Sequence, residues 1–229
     1  MNVELVSIVM PVYNQADHIG AVFEEYLPRL GRLRMPYELL PVVNGPRTDR
    51  SLEICREFSG RYPAIRTLCV DEGGWGRAVR HGLTQARGDL LCYTNTARTT
   101  GNDLLLMITY GAIHPDCVIK ANRKIRESKL RRLGSLLYNL ECRALFDLAY
   151  WDINGTPKVF SRSMTPLLHM GSNDDLIDLE FNVLCKREGY QVLEVPILSS
   201  SRRSGKSTTG LQSAIRMYRG AMKLRRSFR

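Results

Sequence analysis

The sequence has no apolar run long enough for a membrane-spanning helix. No segment reaches the roughly 20 apolar residues that such a helix needs. The first ten residues, which include the acidic Glu4, are typical of a short strand rather than of a signal peptide. We therefore expect a soluble body in the cytoplasm, with peripheral attachment to the inner membrane face as an open alternative.

The sequence also has little that would build a metal centre or a disulfide framework. Its six cysteines lie at least 14 residues apart, without a C-x-x-C pair, and mostly within apolar runs. The four histidines share no metal-ligand spacing. These patterns argue against a metal cluster and favour a reducing compartment.

Acidic residues are scarce relative to basic ones, 23 against 33, which gives a net charge of +10. Such an excess favours anionic partners: a nucleic acid, an anionic membrane surface or a phosphorylated substrate. The sequence holds no nucleic-acid motif and no aromatic-rich platform. We therefore expect no nucleic-acid partner.

The 229 residues, 44% of them hydrophobic, fit one globular domain, and no repeat or low-complexity linker divides them. We predict a single domain over residues 1–210 and a basic amphipathic helix over 211–229. In that helix Leu211, Ile215, Tyr218 and Met222 recur at helical spacing. The apolar stripe suits either an anionic membrane or the core of the domain itself.

Apolar runs and helical patterns alternate four times in the first 95 residues. Strands are predicted at 6–12, 37–43, 65–70 and 89–94, with helices at 17–30, 51–58 and 77–86. This alternation predicts right-handed βαβ units and an α/β fold with a mostly parallel sheet. The second half is mixed, with helices predicted at 103–112, 130–149 and 174–188 and strands at 117–121, 156–160 and 190–197.

Ligands of such sheets bind at the carboxyl ends of the strands. The loops of interest are therefore 11–17, 44–50, 71–77 and 95–100. The glycines of the third loop, G-G-W-G at 73–76, suit either a tight turn or contact with an anion at a helix N-terminus.

Five segments in order carry a family resemblance. They are S-I-V-M-P-V-Y-N (7–14), the stretch from V-V at 42–43 to Ser51, G-W-G-R-A (74–78) leading into A-R-G-D (86–89), G-Y with E-V-P-I (189–197), and R-S-G-K-S (203–207). The set resembles the family 2 glycosyltransferases of the dolichyl- or polyprenyl-phosphate sugar synthase type. The resemblance implies a GT-A-like nucleotide-binding sandwich that holds a nucleotide-sugar donor at the strand ends.

In that family carboxylates of a D-D pair and a D-x-D motif hold the donor and a divalent metal. Here Gln15 replaces the family's Glu, Asn44-Gly45 replaces D-D, and Asn95-Thr96-Ala97 replaces D-x-D, while Asp49 is kept. Neutral and methyl side chains are poor ligands for such a cation. We therefore expect no tightly bound divalent metal and no other cofactor.

A cation is still needed where a nucleoside diphosphate departs. Arg98 follows the altered motif and is the predicted replacement, because a guanidinium can hold a phosphate in bidentate fashion. By the resemblance, the donor-binding residues are Pro11, Tyr13, Asn14, Gln15, Asn44, Asp49, Gly76, Arg77, Asn95, Thr96 and Ala97.

On the acceptor side, Arg123 and Arg132 match arginines that contact the acceptor phosphate in the relatives, and Arg203, Lys206 and Ser207 of the late motif are further acceptor residues. Asp152 is the candidate carboxylate if the acceptor is a hydroxyl; Asp178 and Glu180 suit either that role or capping and ion pairing. The basic run from Lys120 to Arg132 suits a solvated face or contact with a phosphate or a membrane.

The prediction is a glycosyltransferase that moves a sugar from a nucleotide-diphosphate sugar to a lipid-linked phosphate or related glycan acceptor, without a bound metal. The alternative is a non-catalytic relative that binds a nucleotide or a partner protein.

Overall fold

The computed structural model describes residues 3–123, 129–198, 218 and 220–226, and of residues 129–135 the backbone alone. In chain order the elements are β1 Val6–Val12, α1 Ile19–Leu30, β2 Tyr37–Asn44, α2 Ser51–Arg61, β3 Leu68–Val70, α3 Trp75–Gln85, β4 Leu90–Tyr93, α4 Gly101–Ile113, β5 Cys117–Arg123, α5 Lys129–Phe146, β6 Lys158–Ser161, a 3-10 turn Thr165–Leu168, α6 Ile177–Arg187 and β7 Gln191–Ile197.

The strands form one sheet in the order β3-β2-β1-β4-β6-β5-β7. Strands β1 to β4 are parallel to one another, β5 and β7 are parallel, and β6 is antiparallel to both of its neighbours. The predicted α/β class and mostly parallel sheet are thus confirmed. All seven residues of β1 are buried, as expected of a central strand covered on both faces.

Two apolar layers cover the two faces of the sheet. One joins α1, α2 and α4 to the strands through residues such as Phe23, Tyr26 and Met107. The other joins α3 and α6 through residues such as Val79 and Phe181. Amphipathic helices on both faces of a parallel sheet are the arrangement that the alternating pattern predicts.

Several predicted element ends were wrong by a few residues. Strand β3 covers only Leu68–Val70, because Ile65 makes an isolated bridge to Leu39 instead of a continuous ladder. Helix α6 begins at Ile177, since Asp174 forms a turn in which its carboxylate accepts a hydrogen bond from the Leu176 N–H. The 3-10 turn at Thr165–Leu168 was not predicted.

The described part of the carboxyl-terminal segment packs on the domain. Residues 220–226 are helical, and Ala221, with 1% exposure, lies in an apolar cluster with Cys142 and Ile153. Gly220 lies so close to Leu176 that an added Cβ would come within 2.1 Å of its side chain. For these residues, contact with the domain's own core is therefore the observed arrangement. Across the described helices, none is long and apolar enough to cross a membrane.

Candidate active site

The carboxyl ends of β1, β2, β3 and β4 lie at one edge of the sheet, because the four strands are parallel. The loops predicted to hold a ligand therefore do meet there. Pro11 is a buried part of β1, paired with Val42, and supports the start of the first loop.

Asp49 joins the first loop to the second. Its carboxylate accepts hydrogen bonds from the Ala16 N–H at 2.8 Å and from the hydroxyl and N–H of Ser51. Ser51 Oγ in turn accepts from the Gln15 N–H at 2.7 Å. Burial tends to raise the pKa of Asp49, but these hydrogen bonds outweigh it and the pKa is lowered. The retained carboxylate thus fixes the loop that carries Gln15.

Asn44 is the buried last residue of β2. Its amide nitrogen donates to the backbone oxygen of Val12 at 2.9 Å, and its amide oxygen accepts from the Gly74 N–H at 3.1 Å. It therefore joins the ends of β1 and β2 to the glycine-rich loop. Both polar atoms of the Asn44 side chain are therefore bonded to the protein itself.

Tyr13 presents an aromatic ring at this edge. The ring is 46% exposed and packs on Gly45, where an added Cβ would come within 2.9 Å of it. Gly45 has φ +77°, and the neighbouring Asn14 has φ +47°, a left-handed conformation that asparagine tolerates. The two turns leave the Tyr13 ring accessible to a planar ligand such as a base.

The altered D-x-D segment is bonded to the protein itself. Thr96 is fully buried and donates to Gln15 Oε1 at 2.6 Å, while Asn95 Oδ1 accepts from the Ala97 N–H at 3.1 Å. Ala97 is 3% exposed and carries no ligand atom. Within the described residues no group of three or more His, Cys, Asp or Glu side chains is placed to hold a metal ion. The residues present do not fit the family's divalent cation.

Three arginines approach the same edge. Arg98 is half-buried, and its N–H donates to the backbone oxygen of Asn95. Arg47 pairs with Asp71 at 2.6 Å and Arg77 pairs with Glu72, in both cases through exposed carboxylates. Pairs with such exposed partners are weak, on the order of 0–1 kcal/mol, so a phosphate could displace the carboxylates.

The glycines of the third loop serve backbone packing. An added Cβ at Gly76 would lie 2.4 Å from the backbone oxygen of Ser172. An added Cβ at Gly74 would lie 2.4 Å from the backbone oxygen of Asn173. The same Asn173 oxygen accepts the Arg77 N–H at 3.0 Å and so caps the start of α3. The close approach of residues 172–174 explains why both positions are glycine.

On the acceptor side, Arg123 and Asp152 form a buried bidentate pair. Nε and Nη2 of Arg123 each donate to a carboxylate oxygen at 2.7 Å, and the Arg123 N–H adds a bond of 3.0 Å. Asp152 is 4% exposed. Asp152 thereby orients Arg123, an arrangement that favours a positioning role over that of a general base. Arg132 lies in α5 with its side chain outside the described part, and Arg203, Lys206 and Ser207 lie outside the described residues.

Beneath this pair lie two fully buried lysines. Lys120 donates to Glu194 at 2.7 Å and to the backbone oxygen of Asp152. Lys158 pairs with Asp178, whose carboxylate also accepts from Tyr93 at 2.9 Å and from Trp75 at 3.2 Å. Burial lowers the pKa of both lysines, that of Lys158 to about 8, although the carboxylate partners oppose the shift.

The solvated face considered for the basic run from Lys120 to Arg132 is wrong for Lys120, whose side chain is fully buried. The sequence analysis assigned no role to Lys158. The available signal was a lysine inside each of two otherwise apolar strand patterns, where an unpaired charge would be strongly unfavourable. Asp178 and Glu180 take the alternative predicted for them, ion pairing and capping: Glu180 accepts the N–H groups of Gly171 and Ser172.

Residues 7–96 match the family model "Glycosyl transferase family 2". This segment contains the first three strand-end loops and ends at Thr96, within the altered motif. The match covers less than half of the 229 residues, so it shows a resemblance of this part of the chain to the family. The resemblance predicted from the motifs is thereby confirmed over residues 7–96.

Two curated relatives are similar to this chain over different lengths. An undecaprenyl-phosphate 4-deoxy-4-formamido-L-arabinose transferase of Edwardsiella ictaluri is 24% identical over 94% of the chain and 66% of its own length. Glycosyltransferase AglE of Haloferax volcanii is 36% identical over a shorter stretch, 38% of this chain and 29% of its own. The chain thus spans just under two thirds of the former relative.

Among solved structures, the glucosyl-3-phosphoglycerate synthase of Mycobacterium tuberculosis, in complex with Mn²⁺, UDP and phosphoglyceric acid, superposes with a TM-score of 0.72 at 16% identity. The match covers 96% of this chain and 76% of that one. A mannosyltransferase of Pyrobaculum calidifontis, in complex with GDP-mannose and Mn²⁺, superposes with a TM-score of 0.56 at 14% identity. That match covers 90% of this chain and 59% of the mannosyltransferase. Both likenesses establish the GT-A fold of this chain.

Proposed function

We propose that the chain transfers a sugar from a nucleotide-diphosphate sugar to a lipid-linked phosphate, without a tightly bound divalent metal. The observation that carries the proposal is the family match over residues 7–96, which includes the first three loops at the strand ends and the start of the fourth. The arabinose transferase, whose name includes undecaprenyl phosphate, supports a lipid phosphate as the acceptor class.

The donor would lie across the strand ends. Its base would stack on the exposed ring of Tyr13, and its diphosphate would extend toward the altered motif at Asn95-Thr96-Ala97. Arg98, Arg77 and Arg47 surround this path, and they offer the positive charge that a bound metal ion would otherwise provide. The assignment rests on the position of these residues at one edge of the sheet.

The acceptor would lie near Arg123, which Asp152 holds in a fixed orientation. A phosphate acceptor is already ionised at neutral pH and needs no strong general base. One of its oxygens would attack the anomeric carbon of the sugar, the bond from that carbon to the diphosphate would break, and the nucleoside diphosphate would leave with the electron pair. Asp152 therefore need not remove a proton.

We further propose a cytoplasmic location with peripheral binding to the inner membrane face. A lipid-linked acceptor resides in a membrane, and a protein of charge +10 is attracted to anionic lipids. Exposed Leu136, Leu137 and Leu140 on α5 provide apolar contact area beside the basic segment.

The test of the donor site is calorimetric titration with UDP-, GDP-, dTDP- and CDP-sugars, each in EDTA and in Mn²⁺. We expect base-selective binding that persists in EDTA. Binding that appears only with Mn²⁺ would show that other ligands recruit the metal and would refute the metal-free proposal.

The test of the chemistry is the variant Arg98→Ala, with Arg98→Lys as the conservative control. We expect Arg98→Ala to abolish turnover in a folded protein and Arg98→Lys to retain a small part of it, because a lysine keeps the charge but loses the bidentate geometry. Full turnover by Arg98→Ala would exclude this role for Arg98.

A second candidate is a non-catalytic nucleotide-binding or partner-binding relative. It is favoured by the internal hydrogen bonds of Asn44, Asp49 and Thr96, each of which binds the protein where the family binds a ligand. Donor binding without turnover on any polyprenyl-phosphate acceptor would support it.

A further inference from the structure

A cleft on the flank of α3 shares Arg77 with the proposed donor position, and its other lining residues belong to neither the donor nor the acceptor proposal. It has a volume of about 480 Å³, and its wall is formed by α3, the end of β3 and residues 168–173. Arg77, Arg80, His81 and Thr84 line it from one side, at the spacing that places side chains on one face of a helix. That face is opposite to the one that packs Val79 and Leu83 on the sheet.

The cleft concentrates groups that bind anions. Two guanidinium groups and the imidazoles of His81 and His169 line it, and Asn173 adds an amide. None of the described residues that line it is a carboxylate; Glu72 approaches from outside, where it pairs with Arg77. The Nε atom of Arg77 is buried and has no hydrogen-bond partner among the described residues. A buried donor without an acceptor is unfavourable, and an anion would satisfy it.

One of these cations is held in place. Arg80 Nη1 donates to Asn173 Oδ1 at 2.6 Å and to the backbone oxygen of Gly171 at 3.1 Å. These bonds occupy one end of the guanidinium and fix its plane. Such fixed orientation lowers the entropy lost when a ligand binds.

The cleft also has an apolar part. Val70, Leu168 and Met170 line it together with the charged groups. Its volume lies within the range of small-molecule sites, roughly 300–1,000 Å³, and exceeds what one phosphate ion fills. We propose that this cleft binds a small organic phosphate, with the phosphate at Arg77, Arg80 and the two histidines and the organic part against Val70, Leu168 and Met170.

The proposal is independent of sugar transfer, so we test it by binding alone. Imidazole ¹H–¹⁵N spectra of the full chain would be recorded during titration with glycerol 3-phosphate, a hexose 6-phosphate, inorganic phosphate and uncharged glucose, in about 150 mM NaCl to screen weak surface attraction. We expect saturable shifts of His81 and His169, with His18 and His114 unchanged, and affinity for an organic phosphate about tenfold or more above that for inorganic phosphate.

Variants assign the effect to the cleft. Arg80→Gln should weaken binding about tenfold or more. Because Arg80 also supports residues 171–173, the double variant His81→Gln/His169→Gln, which leaves those bonds intact, should weaken it as well. The matched control is Arg56→Gln, which removes the same charge from an exposed position on α2 and should have no effect.

Three outcomes would overturn the proposal. They are shifts that do not saturate, equal loss of binding in Arg56→Gln, and shifts of His81 and His169 produced by nucleoside diphosphates but not by small phosphates. The last would make the cleft an extension of the donor site. None of these depends on whether the chain transfers a sugar.

Discussion

The hydroxyl of Thr96 donates a 2.6 Å hydrogen bond to Oε1 of Gln15, which joins the loop after β1 to the loop after β4. Both residues occupy positions of the family motifs. Gln15 replaces a glutamate of the first motif, and Thr96 is the middle residue of the altered D-x-D motif. The two changes are complementary, because a hydroxyl and a neutral amide satisfy each other without a cation. The loops after β1 and β4 are thus joined by a hydrogen bond between two neutral side chains.

Removal of this bond should loosen the donor edge. Thr96→Val keeps the side-chain volume but leaves Gln15 Oε1 without this donor, and we expect a loss of about 1 kcal/mol in the free energy of unfolding. Donor affinity should also fall, because the two loops are no longer joined. Urea denaturation and calorimetry would measure the two effects. Thr109→Val, at an exposed position on α4, is the control; equal losses in both variants would contradict the prediction.

Restoration of the carboxylates should restore metal binding. In the double variant Asn95→Asp/Ala97→Asp, two anionic oxygens stand at the family's ligand positions, so we expect Mn²⁺ to bind in the presence of UDP. Because Ala97 is buried, the variant should also be less stable than the parent protein. Calorimetric titration with Mn²⁺ would measure the gain. Equally tight Mn²⁺ binding by the unaltered chain would refute the interpretation of this motif.

Gly76 should not tolerate a side chain. An alanine Cβ there would lie 2.4 Å from the Ser172 oxygen and 2.7 Å from the Asp174 oxygen, so the loop over α3 must move. We expect Gly76→Ala to destabilise the protein by about 1–3 kcal/mol. Gly60→Ala is the matched control, since that helical glycine has nothing within 4 Å of the added Cβ, and it should be neutral or stabilising by up to about 1 kcal/mol. Thermal and urea unfolding of both variants would decide; similar effects would contradict the packing argument.

Lys158 should make stability depend on pH above neutrality. Its folded pKa of about 8 lies below the ordinary value of 10.5, so between these values the unfolded chain binds the proton and the folded chain does not. The contribution of this group to stability is therefore smallest below pH 8. It increases toward pH 10.5, with a slope of about 1.4 kcal/mol per pH unit at most.

Titration of other groups, such as the buried cysteines, obscures this slope in a single protein. The measurement is therefore the difference between the parent chain and Lys158→Met/Asp178→Asn in urea unfolding at pH 7.5, 8.5 and 9.5. The amide oxygen introduced at position 178 would still accept a hydrogen bond from Tyr93 or Trp75. Parallel pH profiles of the two proteins would refute the shifted pKa.

Local sequence patterns were sufficient for most of the fold. The apolar run of β1 and the alternation of strands and helices up to residue 94 identified the parallel sheet, because both patterns arise from burial on two faces and from helical periodicity. Element ends were less well predicted. The turn at Asp174 and the short β3 depend on hydrogen bonds to partners that local periodicity does not reveal.

The sequence by itself determined the fold class, the resemblance to family 2 glycosyltransferases and the loops in which that resemblance implies replaced carboxylates, because these follow from residue types in a fixed order. Only the tertiary structure decided what the replaced and retained residues touch. It showed that Asn44, Asp49 and Thr96 bond to neighbouring loops, that Asp152 holds Arg123, and that Lys158 is paired with Asp178. Each of these contacts joins residues at least 20 positions apart. Their distance is therefore set by strand order and loop packing, which no local pattern encodes.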